Sequence, residues 1–298
     1  MRTMGWLGVL VVPLVLASCT TADLISSSSE VKRQAYEGLE GEWGLERPIG
    51  RFGRERSLQV FEGDRMELKD KELKISGAFG MAAFVTEDGY ALTAEHVVSE
   101  GDGHYAVLVS SGDPKVPVHV HWVTMTMKGY GQEVLSEHKI LQLLAYHGEL
   151  EHVGIKDFEV VRARVVKDFP KADLALIKFP LRVGRWFEPK QRLAEEGEAL
   201  FMPGNSATPY AGSSAGRVVE ADVSAWPVAK IHTSAPLASG DSGGPAIDVE
   251  GKLVGIISHV RLGRFLPWPK MNHSLVRQID AGELVRLIEA DRVVHGTL

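Results

Sequence analysis

Cysteine is nearly missing from this chain. Cys19 is the only one among 298 residues, which excludes any disulfide within it. Positive charge is not concentrated either. The formal net charge is −6 and no dense run of lysine or arginine occurs, so a nucleic-acid partner is not expected. The apolar run from Trp6 to Ala17 is too short to cross a bilayer as a helix. No internal repeat is visible. His119 and His121 would face one side of a strand, and His138, His147 and His152 follow. No cysteine or carboxylate completes a zinc-ligand spacing around them, so neither a metal nor another cofactor is expected. What is present is ordinary. With 44% hydrophobic and 24% charged residues the chain can bury a large core, and all-β folds of this length can form one unit.

The amino-terminal end carries its own signal. Arg2 precedes the apolar run, which closes on the small residues of Leu16-Ala17-Ser18-Cys19. A basic start, a short apolar stretch and a small-residue end make a secretory leader. The last four residues resemble the lipobox of bacterial lipoproteins. That resemblance implies removal of residues 1–18, acylation of Cys19 and membrane anchoring in a bacterial cell envelope. Thr20 follows where Asp would suggest inner-membrane retention, which favours the outer membrane of a two-membraned cell. An ordinary secretory leader that happens to end near a cysteine is the alternative.

Residues 19–57 read as a tether, with Ser26-Ser27-Ser28-Ser29, scattered charge and a short helix around Glu30–Leu39. Arg51, Arg54 and Arg56 cluster there, read as a solvated linker rather than a headgroup site. From Leu58 the pattern turns strand-like. Ala78–Val85 and Tyr90–Ala94 flank an Asp-Gly turn, a hairpin signal. Tyr105–Val109, Val116–Val123, Phe158–Val166 and Leu174–Phe179 read as further strands. The stretch from Met125 to Asp157 reads as an insertion with a helix near Glu133–Tyr146. After the connection Pro180–Pro189, strands are expected at Glu198–Met202, Ala215–Glu220, Ala229–His232, Pro245–Val249 and Leu253–Ser258. An amphipathic helix is expected from Ile279 to Val293.

Chemistry concentrates in three places. Ser239-Gly240-Asp241-Ser242-Gly243-Gly244-Pro245 sets a serine between glycines, which tolerate the positive φ of a loop aiming N–H groups at one point. Such a loop can present a nucleophile together with an oxyanion hole. A serine hydroxyl needs a base near neutrality, the range of histidine, and the imidazole needs a carboxylate to fix its tautomer. His96 ends the apolar stretch Gly89–Val98, and Asp173 opens the strand Leu174–Phe179. Alone, each has a bland explanation: a structural histidine, an aspartate capping a turn, a glycine-rich turn. Together, in the order His96, Asp173, Ser242 with gaps of similar length, they suit one triad at the junction of two similar halves.

The stretches Thr93-Ala94-Glu95-His96, Asp173-Leu174-Ala175-Leu176-Ile177-Lys178 and Gly240–Pro245 resemble the three signatures of trypsin-like, chymotrypsin-fold serine proteases, from about Ser76 to about Leu262. The resemblance implies an all-β fold of two six-stranded antiparallel barrels, about 58–182 and 183–298, with a closing helix. It implies a serine endopeptidase acting on protein or peptide substrates through an acyl-enzyme, with Ser242 as nucleophile, His96 as base and Asp173 as its orienting acid. The N–H groups of Gly240 and Ser242 would form the oxyanion hole. Ser258, His259 and Val260 would pair with substrate backbone, and Pro236, Leu237, Ala238 and Ser239 would border the primary pocket. None of these is acidic, and Val260 would narrow the mouth, so small apolar residues are favoured over Lys or Arg.

Glu95 departs from the family pattern: near the imidazole it would push the pH range of activity upward, whereas pointing to solvent it would not, and the sequence leaves both open. Trypsin-type zymogens pair a freed amino terminus with the aspartate before the nucleophile, here Asp241. This chain has no matching activation junction, so another partner or a solvated site is expected for Asp241, and no PDZ domain is expected after Ser242. Two other readings stay open. An α/β-hydrolase esterase also carries G-x-S-x-G, but places its acid and histidine after the serine. A catalytically silent, lipid-anchored binding or scaffold protein on the same fold is the alternative from another class.

Overall fold

The computed structural model describes residues 30–69, 72–99, 104–111, 133–136, 155–204, 212–238, 240–260 and 274–296. The leader, Cys19, Ser239, the strand expected at Val116–Val123 and the five histidines from His119 to His152 lie outside them. No helix among the described residues is long and apolar enough to cross a membrane.

Seven strands make the first sheet: β1 (Ser57–Lys69), β2 (Glu72–Phe84), β3 (Tyr90–Thr93), β4 (His104–Ser111), β5 (Glu133–Ser136), β6 (Ile155–Phe169) and β7 (Leu174–Lys178). Their order is β1-β4-β6-β7-β3-β2-β5, and β1 also pairs with β2, so six of them return on themselves. β5 is the addition. Its residues 133–136 pair antiparallel with Glu72–Ile75 of β2, where a helix was expected. The correction has a physical reason: a four-residue strand is stabilised by a distant partner edge, which local periodicity does not register.

The second sheet is a closed barrel, β10-β13-β12-β11-β8-β9. It comprises β8 (Ala199–Met202), β9 (Ser214–Asp222), β10 (Val228–Thr233), β11 (Pro245–Ile247), β12 (Leu253–Val260) and β13 (Ser274–Ile279). A helix, Ala281–His295, closes the chain, with Asp280 accepting the Glu283 N–H at its start.

Two-residue alternation explains why several strands are apolar throughout. Along β7, Leu174 and Leu176 face a core shared by both barrels, whereas Ala175 and Ile177 face the first barrel's interior. Along β8, Ala199 and Phe201 join the shared core, and Leu200 and Met202 fill the second barrel. With both faces covered, every residue of these strands is buried. Each fully buried leucine or isoleucine contributes roughly 1.5–3 kcal/mol.

Residues 30–56, expected as part of a tether, are folded against this body. Residues 30–37 form a helix, residues Ile49–Arg54 a second short one. Ile49 is buried in the shared core, with Tyr36, Trp43 and Phe52 packed against it. The Trp43 ring meets the Phe201 ring edge-on at 5.0 Å. Of the basic cluster, Arg51 is exposed and pairs with Glu55, whereas Arg56 is not solvated as expected: it lies 3.8 Å over the Phe52 ring while donating to the Trp186 carbonyl. The apolar residues here are few and widely spaced, so they suggest no periodic element; their burial comes from the long-range surface they meet.

The carboxy-terminal helix is fastened to the first barrel by charge. Tyr90 donates its hydroxyl to Asp291 at 2.7 Å, and Arg164 forks onto the same carboxylate at 2.7 and 2.8 Å. Arg292 forks onto Asp88 in the β2–β3 turn.

Candidate active site

β3 delivers its chain into a single turn of 3-10 helix, Glu95–Val97, held by Val97 N–H to the Ala94 carbonyl. Val97 anchors that turn inside the first barrel, so His96 is left at its rim. Asp173 arrives from the neighbouring strand. Pro170–Ala172 make another 3-10 turn, and Asp173 follows it in the left-handed region (φ 49°, ψ 54°), one of the few conformations an aspartate adopts that other residues avoid. β3 and β7 pair with Thr93 opposite Ala175, which brings the two turns together.

The carboxylate of Asp173 is the hub. His96 Nδ1 lies 2.8 and 3.0 Å from its two oxygens, the His96 backbone N–H donates to Oδ1 at 3.0 Å, and the Ser258 hydroxyl donates to Oδ2. Burial pushes this carboxyl upward, but the bonds from the His96 ring, the Ser258 hydroxyl and the His96 amide outweigh it and hold Asp173 below the usual carboxylate range. Asp173 is therefore ionised throughout the neutral range and fixes Nδ1 as the protonated nitrogen.

Ser242 comes from the second barrel. Its carbonyl accepts from Met81 N–H of β2 at 2.7 Å, and Gly243 N–H donates to the Ile257 carbonyl of β12 at 2.8 Å. Gly240 and Gly243 both have positive φ, 95° and 81°. The serine is thus clamped between the barrels, half-buried, with its hydroxyl donating to the Ser258 carbonyl at 3.3 Å. Gly240 and Ser242 place their N–H groups on the same turn, which Asp241 pins by accepting Ala238 N–H at 2.8 Å.

The remaining expected site residues divide. Ser258 does more than line a substrate edge, since its hydroxyl reaches Asp173 and its carbonyl takes the Ser242 hydroxyl. His259 and Val260 continue β12, with Val260 opposite Ser274. Pro236 and Ala238 are buried, the Pro236 carbonyl accepting Ser214 Oγ at 2.6 Å. Leu237 belongs to the second barrel's interior. A cavity of about 820 Å³ opens elsewhere, among Glu42, Lys190, Arg192, Glu198, Arg217 and Asp248, and touches none of His96, Asp173 or Ser242.

Two residues at the site were not anticipated. Arg277 of β13 is half-buried and donates Nε to Ser258 Oγ at 3.4 Å. Burial lowers its pKa while the charge of Asp173 raises it, so a cation stands behind the carboxylate. Its sequence signal is a charge following the apolar Leu275-Val276 and preceding Ile279. Lys32 reaches the site from the amino-terminal helix: its Nζ lies 2.6 Å from Asp241 Oδ2, with both side chains 1% exposed. The signal there is Lys32, Ala35, Tyr36 and Leu39 recurring on one helical face.

Glu95 sits beside the pair. Burial raises its carboxyl, the charges of Asp173 and Asp168 raise it further, and His96 opposes them. An attraction is mutual, so the Glu95 carboxylate favours the imidazolium. Glu95→Gln is expected to move the acid limb of the kcat/KM profile to lower pH, by less than about one unit because the group is partly exposed. A pH–rate comparison of the two proteins checks it, and a shift to higher pH contradicts it.

Two β-barrels that meet over a clamped serine and a histidine–aspartate pair define the chymotrypsin-like fold. The match of the trypsin-like peptidase domain model to residues 80–256 accords with it, and the chain belongs to that family. Among solved structures, the Rv3671c protease of Mycobacterium tuberculosis in its active form is similar, with 16% identity, a TM-score of 0.46, and coverage of 81% of this chain and 83% of that one. Its inactive serine-to-alanine mutant gives 14% identity, a TM-score of 0.45, and coverage of 83% and 91%. No curated protein matches the chain.

Proposed function

We propose that this peptidase-family chain is a serine endopeptidase, with Ser242 as nucleophile, His96 as general base and Asp173 as the residue orienting His96. The reading rests above all on His96 and Asp173 joined through Nδ1, on a rim faced by a serine in a glycine loop. In the proposed reaction the Ser242 hydroxyl leaves the Ser258 carbonyl and turns to His96 Nε2. A substrate N–H donating to that carbonyl takes its place, as an added strand does. Oγ attacks the scissile carbonyl while His96 takes its proton. The N–H groups of Gly240 and Ser242 hold the oxyanion, and His96 returns the proton to the departing amine. Water then repeats the sequence on the acyl-enzyme. No acidic residue occurs at Pro236, Leu237, Ala238 or Ser239, so cleavage is proposed after small apolar residues. Predominant cleavage after Lys or Arg in a peptide library refutes that specificity.

Anchoring through lipidated Cys19 in a bacterial envelope is part of the proposal, on the strength of Leu16-Ala17-Ser18-Cys19. The mass of the mature amino-terminal peptide tests it. For the chemistry, protein lacking residues 1–19 is treated with a fluorophosphonate probe beside Ser242→Ala and His96→Ala. Labelling of the parent and not of Ser242→Ala is expected. A folded parent that stays unlabelled from neutral to alkaline pH overturns the enzyme reading in favour of a binding protein.

A further inference from the structure

We infer that Lys32 is a positioning residue for this reaction: its ammonium, carried by the helix 30–37, holds the nucleophile loop in its working shape. The inference rests on the endopeptidase reading above. An ammonium and a carboxylate each only 1% exposed face one another at 2.6 Å, the pairing that buried charges need. The oxygen that meets Lys32, Oδ2 of Asp241, is also the acceptor of Ala238 N–H at 2.8 Å. Without the cation, the buried Asp241 carboxylate loses the ammonium it faces, and rotation toward water relieves that cost. That rotation breaks the bond to Ala238 and releases the turn carrying the N–H groups of Gly240 and Ser242.

Lys32 meets Asp241, which is not among the groups that exchange protons with substrate in the proposed reaction, so it acts through geometry. The helix presenting it packs on the body through its inner face. Glu30, Arg33 and Glu37 pair with one another on its outer side, and Tyr36 meets Phe201 edge-on at 6.4 Å on its inner side. In the trypsin-like family a freed amino terminus pairs with the corresponding aspartate; here a side chain of the continuous chain does so. The helix 30–37 is therefore part of the active enzyme.

The test uses the full chain in detergent and follows fluorophosphonate labelling rate, kcat and KM on a peptide substrate, and thermal melting. Lys32→Met is expected to slow labelling and lower kcat about 10²- to 10³-fold, the scale of one lost oxyanion donor, with KM much less affected. In Lys32→Ala, n-propylammonium is expected to restore at least about tenfold of the lost rate, whereas Lys32→Met gains nothing. That rescue also holds the test open if Lys32→Met fails to fold. A folded Lys32→Met that labels within about threefold of the parent overturns the inference, as does a loss that propylammonium leaves untouched. A parent that does not label overturns the endopeptidase reading itself, an outcome distinct from either.

Discussion

Asp173→Asn will fold and will lower kcat about 10⁴-fold. The fold survives because asparagine accepts the left-handed backbone at φ 49° as aspartate does, and because it is nearly isosteric within the pocket bounded by His96 and Ser258. The chemistry does not survive. Asp173 is bonded by three donors, the His96 ring, the His96 amide and the Ser258 hydroxyl, and needs acceptors at both oxygens. An amide turns one oxygen into a donor. Either it faces the ring and forces the proton to Nε2, where a base is needed, or it faces the hydroxyl and breaks that link. A kcat within about tenfold of the parent, with an unchanged melt, refutes the role. The substitution also leaves a stability signature. The carboxyl is held low in the folded protein, so its stabilisation is complete above its unfolded pKa of about 4 and is lost as acid titrates it. The parent should therefore lose stability below about pH 4 more steeply than Asp173→Asn.

Gly243→Ala is expected to cost the protein more than any single surface change, at least about 3 kcal/mol. A Cβ at this residue would lie 1.9 Å from the Met81 carbonyl oxygen and 2.5 Å from Thr93 Oγ1, and φ is 81°. The left-handed backbone accounts for only about 1–2 kcal/mol of this. The remainder comes from parting two backbones that Met81 N–H and the Ser242 carbonyl draw together at 2.7 Å, while Thr93 Oγ1 donates to the crowded Met81 oxygen. Relief requires moving the nucleophile loop off β2, so fluorophosphonate labelling should fall along with stability. Gly197→Ala separates the two contributions, because Gly197 also has positive φ (86°) but has nothing within 4 Å of its Cβ. Urea denaturation of both variants measures the difference. Equal losses refute the close-approach argument.

Elements whose reasons lie within a few residues were legible in advance. β3 after its Asp-Gly turn, β7 with its unbroken apolar run, and the helix Ala281–His295 follow from spacing and composition. So did the three segments around His96, Asp173 and Ser242, because their chemistry demands rare residue types in a set order. What stayed hidden is held by distant partners. Residues 133–136 become a strand because β2 offers an edge at Glu72–Ile75. β13 was not anticipated, since Ser274, Arg277 and Gln278 leave it little apolar pattern; the charge is accommodated by Ser258 and Asp173, distant in sequence. Lys32 reads as one more charge in a polar tether until Asp241 is brought against it. The same applies to Ile49 and Phe52, whose burial depends on a barrel formed later in the chain.

The fastening of the last helix to the first barrel has a consequence for the order in which the chain is made. Tyr90 and Asp291 are 201 residues apart, and Asp88 and Arg292 are 204 apart. A ribosome finishes the strand leading to His96 long before it makes the carboxylate that Tyr90 and Arg164 will share. Until then the early half keeps Arg164 and the Tyr90 phenol without Asp291, and Asp88 without Arg292, and closing so long a loop is slow. A growing chain thus holds His96 and Ser242 in separate halves until the helix Ala281–His295 emerges to fasten the first barrel.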